Sequence, residues 1–254
     1  MLSVGRVARG SYLPRECRLP ASTYSAAGLD SNKPLTPGCK DAGPHGRDGP
    51  LNFENGTIHS VRSASQRALA ASWARLGKQG LPSFEQFDPE PGIHDPKQLV
   101  VWKVEVNDGR LDFRALYRGS SLDEAFNEGW AGKTLREVSP PSLQPAIFAT
   151  SEHCVSTGCA IYTVLRTYDG AGFPVELERL LLPFGKSGRV KIIVASLQLT
   201  SPEVTVERRT IARDFEAHTE AVVSIRISAA SINKSSLKPM AASAEPARPA
   251  AQRP

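Results

Sequence analysis

The sequence predicts an α+β domain: a five-stranded antiparallel sheet with helices packed on one face, preceded by an amphipathic helix. Three observations predict it. Two alternating apolar runs flank Asn107-Asp108-Gly109, three more runs between Cys159 and Leu199 are separated by glycine-bearing turns, and segments 63–79 and 142–158 carry apolar residues at helical spacing. A strand pair, a helical crossing and a strand triplet behind a leading helix form an α+β pattern.

In chain order, residues 1–60 read as a disordered leader, because Pro14, Pro20, Pro34, Pro37, Pro44 and Pro50 recur among Gly, Ser and Ala without apolar periodicity. Over Ser63–Gln79 a helix is expected: Leu69, Trp73 and Leu76 form a stripe that must be buried against something, Ser63 caps the start, and Gly77 and Gly80 close the end. Leu81-Pro82 and the turn-rich Asp88–Pro96 break the chain. In Leu99–Val106, Val100, Trp102, Val104 and Val106 share one face and Lys103 and Glu105 the other; after the turn, Leu111, Phe113, Ala115 and Tyr117 continue the alternation as a hairpin.

Ser120 and Ser121 cap a short helix through Phe126, which Gly129 and Gly132 interrupt. Ser139-Pro140-Pro141 ends that helical stretch, and 142–158 restarts it with Leu143, Ile147 and Cys154 at helical spacing and Gly158 as the stop. Strands then follow over Cys159–Tyr168, Phe173–Phe184 and Arg189–Leu199. Beyond Pro202 the pattern gives a charged helix over Val206–Glu216 and one more strand over Val222–Ile227. The expected division is therefore a leader at 1–60, a domain at 61–200, an extension at 201–228 and a disordered tail at 229–254.

Charge narrows the function. The chain of 254 residues carries a formal net charge of +5, but residues 1–50 hold +3, residues 228–254 hold +3 and the middle holds −1. A near-neutral folded core argues against specific nucleic-acid reading, which needs a basic face for phosphates, and leaves only weak polyanion binding through the tails. The longest apolar stretches are strand-sized, and Arg6 and Arg9 interrupt the only signal-like segment, so neither a membrane helix nor export is expected, and the chain reads as cytoplasmic. Cys17, Cys39, Cys154 and Cys159 have neither disulfide-scaffold density nor zinc spacing, which predicts reduced, unpaired thiols and no structural metal.

Several short motifs, taken in order, resemble a known family. Trp73 in the leading helix, Leu81-Pro82 with Asp88-Pro89, the run Phe113-Arg114-Ala115-Leu116-Tyr117-Arg118-Gly119, the run Gly129-Trp130-Ala131-Gly132-Lys133-Thr134-Leu135, and the strand Glu178 to Pro183, read ELERLLLPF with its start, resemble the short bacterial fifth-type PAS domain over residues 65–200. The sequence departs from that pattern after Leu116. The resemblance implies a PAS-like fold and a sensory, signal-transducing module without an output domain, acting by binding a partner signalling protein or itself; a shared fold does not name the ligand.

Trp102, Phe113, Tyr117, Phe126, Phe148, Ile161 and Val164 are the candidate lining of a ligand pocket between sheet and helices, or else a filled core. Arg118 and Glu178 occupy positions where the family pattern carries an arginine and a glutamate, which implies a structural ion pair. Leu69, Trp73 and Leu76 are the candidate interaction stripe. The resemblance also places His153 where haem-binding PAS domains carry an iron ligand, although no second haem cue accompanies it and the expected cofactor is none. An enzyme is not expected: Glu176 with Glu178 lacks a base or metal motif, and GxSxG, HExxH and phosphate-cradling glycine patterns do not occur. The alternative classes are a small-molecule-binding or enzymatic α+β cone-like domain and a weak polyanion binder.

Overall fold

The computed structural model describes residues 51–78, 80–88, 95–122, 129–168, 174–200 and 220–235. Its strands are β1 (Glu54–Asn55), β2 (Leu99–Asn107), β3 (Arg110–Arg118), β4 (Ala160–Tyr168), β5 (Pro174–Lys186), β6 (Arg189–Thr200) and β7 (Glu220–Ile227). The helices are α1 (Ala64–Leu76), α2 (Leu135–Val138), α3 (Gln144–Thr157) and α4 (Ala229–Ser235).

The strands form one sheet in the order β1-β7-β4-β5-β6-β2-β3. Its centre is the expected set of five: the β2–β3 hairpin joins the β4-β5-β6 meander through the antiparallel β2–β6 pair, so the first strand of the set lies beside the last. Asp108 (φ 50°) and Gly109 (φ 76°) make the tight hairpin turn between Asn107 and Arg110, which pair.

Three expectations need correction. The sheet has seven strands rather than five, and β1 pairs with β7 in parallel. Helices cover both faces rather than one. The domain is also wider than 61–200: β7 pairs with β4 along its length, the expected leader contributes β1 and the buried Ile58, and the expected tail contributes α4 with the buried Ile232. Alternation explains why. Along β4, Ile161 and Leu165 face one way and Ala160, Tyr162 and Val164 the other, all buried, so apolar surface on both sides requires cover on both sides. Residues 61–200 cover the outer face with α1 and the Phe84–Phe87 turn, and Ile58, Ile225, Ile227 and Ile232 from outside that range complete the cover. The expected helix over 206–216 and the short helix beyond residue 122 lie outside the described residues.

The local signals behave as their chemistry dictates. Ser63 caps α1 by accepting from the Gln66 amide, and Gly158 ends α3 with φ 63°. Thr134 and Glu137 form a reciprocal capping box at α2. The exposed side of β3 is blunted by residues 132–134: Gly132 N donates to Ala115 O at 3.0 Å, and Ala115 N donates to Lys133 O at 2.9 Å.

Candidate functional site

The sheet separates two compartments. On the outer face, α1 and α4 cover Leu99, Val101, Tyr162, Leu180, Leu182, Phe184 and Val194; on the inner face, α2 and α3 cover Val100, Trp102, Phe113, Ile161, Leu177, Leu181 and Ile193.

The outer face docks α1. Trp73 is 2 % exposed, and its Nε1 donates to the Pro183 carbonyl at 2.7 Å. Gln66 Nε2 donates to Ser196 O at 3.1 Å, and Gln198 Nε2 donates to Ser65 Oγ at 2.9 Å. Arg62, ahead of the helix, and Arg166 of β4 both ion-pair with Glu176, the latter at 2.7 Å. The hydrogen bond from Arg166 holds the Glu176 carboxyl below its usual range against the opposing effect of burial, and Arg62 adds to it. Next on that face, Tyr162 OH donates to Glu178 Oε2 at 2.9 Å and accepts from the Arg62 amide at 3.3 Å. Burial, reinforced by the Glu178 carboxylate, pushes the Tyr162 phenol well up.

The inner face has an aromatic end and a polar end. Beneath β2 and β3, Trp102 and Trp130 lie 5.8 Å apart, the Arg118 guanidinium sits 4.9 Å over Trp130, and Phe113 and Phe148 are 6.1 Å apart. Beneath β4 and β5 the alternation Val175, Leu177, Arg179, Leu181 points a guanidinium inward. Arg179 is 4 % exposed, and its Nη1 donates to Thr150 Oγ1 of α3 at 3.0 Å. Burial lowers it to about 10, so it remains charged at neutral pH. The neighbouring Cys154 thiol is pushed far up by burial, which makes it inert. Cys159 is disulfide-bonded, against the expectation of unpaired thiols.

The expected site residues are divided by this geometry. Trp102, Phe113, Phe148 and Ile161 share the inner compartment. Tyr117 and Val164 belong to the outer one. A bulge opposite Val101/Trp102 turns Tyr117 over, because Trp102 pairs with Ala115 while Val101 pairs with Tyr117. Phe126 lies outside the described residues. The expected Arg118–Glu178 pair does not form: β6 and β2 lie between their strands, a separation of about 14 Å, and Arg118 faces Trp130 while Glu178 meets Tyr162 on the opposite face. Leu69 and Trp73 are buried on the chain's own sheet, with Leu76 packed beside them, so the stripe is a dock rather than a free surface. His153 stacks on Phe53 with ring centroids 4.1 Å apart, and burial, then the Arg226 charge, holds its imidazole below the usual range. Among the described residues no group of three or more His, Cys, Asp or Glu is placed to hold a metal, and no helix is long and apolar enough to cross a membrane. Sequence reading missed Arg179; the signal was a charge at an inward parity position between Leu177 and Leu181.

No family model and no curated protein matches the chain. Solved structures do. The light state of the blue-light photoreceptor Aureochrome1 LOV is similar at 13 % identity over 42 % of this chain and 84 % of its own, with a TM-score of 0.33. An RNA-binding light-oxygen-voltage receptor is similar at 22 % identity over 47 % of this chain and 36 % of its own, with a TM-score of 0.31.

Proposed function

We propose that the chain is a PAS-type sensory module that signals by protein–protein contact, with a partner signalling protein or a second copy of itself, rather than by catalysis. The supporting observation is that β5 belongs to both compartments. Its inward residues Leu177, Arg179 and Leu181 line the inner face, while Glu176, Glu178 and the Pro183 carbonyl hold the α1 segment and its neighbours on the outer face. A change of packing inside shifts this strand and thereby the seat of α1, because a close-packed interior passes displacement on instead of absorbing it. Release of α1 would then present Leu69, Trp73 and Leu76 to a partner.

The test is to overfill the inner face and watch the outer one. Ala195 is 1 % exposed on the inner face of β6. Ala195→Leu should accelerate amide exchange over residues 64–76 while the sheet amides stay protected, and should change elution on size exclusion or capture of the partner. Exchange in α1 that rises only together with the sheet, with an unchanged monomer, overturns the reading.

A further inference from the structure

Arg179 is a buried cation that the described residues leave without a carboxylate. Among the described residues its side chain's hydrogen bond goes to Thr150 Oγ1, which itself donates to the Ile147 carbonyl at 2.8 Å. Both acids on its strand, Glu176 and Glu178, point to the outer face, where Arg166 and Tyr162 engage them. A guanidinium taken out of water without an opposite charge is strongly unfavourable.

The strands beside it extend the feature. Arg179 of β5 lies directly opposite Thr163 of β4, and Thr163 lies directly opposite Ser224 of β7. Residues paired in this way project to the same face, so guanidinium, hydroxyl and hydroxyl form one row about 10 Å long at the usual strand spacing. Thr163 is 1 % exposed, and both Thr163 Oγ1 and Ser224 Oγ are buried with no hydrogen-bond partner. Three polar groups on three adjacent strands therefore share the inner face with donors unspent, one of them a guanidinium. Buried polar groups are normally paired, and two unpaired hydroxyls in one row with a guanidinium that has no carboxylate present their donors to an acceptor.

We propose that Arg179, Thr163 and Ser224, roofed by Thr150, bind the carboxylate of a small organic anion in the inner compartment. A guanidinium offers two parallel donors that match the two carboxylate oxygens, and the hydroxyls donate to the remaining lone pairs. One cation matches one negative charge. The aromatic end of the same compartment, at Trp102 and Phe113, gives the organic part of the ligand an apolar direction in which to extend. The site stands on packing alone and holds whether or not α1 is the relay.

The experiment is thermal unfolding of the full chain in a concentration series of sodium acetate, with sodium chloride and sodium phosphate series at matched ionic strength. The expected result is a saturable rise of the midpoint in acetate beyond that in chloride, absent in Arg179→Met and weakened in the near-isosteric Thr163→Val. Equal midpoints in acetate and chloride, a response to phosphate alone, or an acetate response that survives in Arg179→Met overturns the site. Should Arg179→Met fail to fold, Thr163→Val decides: an undiminished acetate response in it overturns the proposal.

Discussion

Glu176 and Glu178 share one face of β5 two residues apart, yet their surroundings give them different work. Glu176 is clamped between Arg62 and Arg166, whereas Glu178 is 5 % exposed and receives the Tyr162 hydroxyl. Because folding lowers the Glu176 value, its contribution is fully present above about 4.5 and is lost as pH falls through the lowered value. With both arginine side chains more than a third exposed, solvent screening keeps the contribution small. Melting curves between pH 7 and pH 3 should show the wild type losing more stability than Glu176→Gln in this window; parallel curves would remove the clamp. The carboxylate pair was legible as two acids on one face. The guanidiniums were not, because Arg62 and Arg166 lie 114 and 10 residues from Glu176 and only the α1 dock and the β4–β5 register bring them to it.

Among the elements, α1 was plain in the sequence and its seat was not. Spacing gave the Leu69, Trp73 and Leu76 stripe and Ser63 gave the cap, but the docking carbonyl belongs to Pro183, 110 residues away. Trp73→Phe keeps most of the apolar contact and removes the Nε1 donor, leaving the Pro183 carbonyl unpaired; a loss of about 1–3 kcal/mol in denaturant unfolding is expected. No change in midpoint would mean that the carbonyl finds another donor. The end of β3 is fixed by a closer approach. A Cβ on Gly119 would lie 2.2 Å from the Lys97 carbonyl carbon, and the Gly119 amide donates to Leu99 O at 2.8 Å. Gly119→Ala is expected to cost about 2–4 kcal/mol, since the clash is with backbone rather than with a movable side chain. Denaturant unfolding checks this, and a neutral result would show that the turn at Pro96–Gln98 gives way.

At the scale of the molecule, the C-terminal strand completes the fold. β4 is buried along most of its length, and β7 and α4 bring Ile225, Ile227 and Ile232 onto the outer core. A chain ending at Thr219 would expose the β4 edge and open the outer compartment. Light scattering and thermal unfolding of that truncated chain should show association and a lower midpoint; a soluble monomer with an unchanged midpoint would make β7 an accessory.

The sequence by itself determined the elements that rest on local chemistry: the hairpin at Asn107-Asp108-Gly109, the capped α1, α3 with its Gly158 stop, and the three antiparallel strands from Ala160 to Thr200. These follow from alternation, helical spacing and turn residues, which act over a few positions. Only the tertiary structure decided what those elements meet. It completed the outer face of the sheet with segments assigned to leader, extension and tail, moved Tyr117 across the sheet through one bulge, parted Arg118 from Glu178 by two strands, and set Arg179 beside Thr163 and Ser224. These outcomes depend on strand register and on which segments dock, where a one-residue shift exchanges inside for outside and no local pattern fixes the partner.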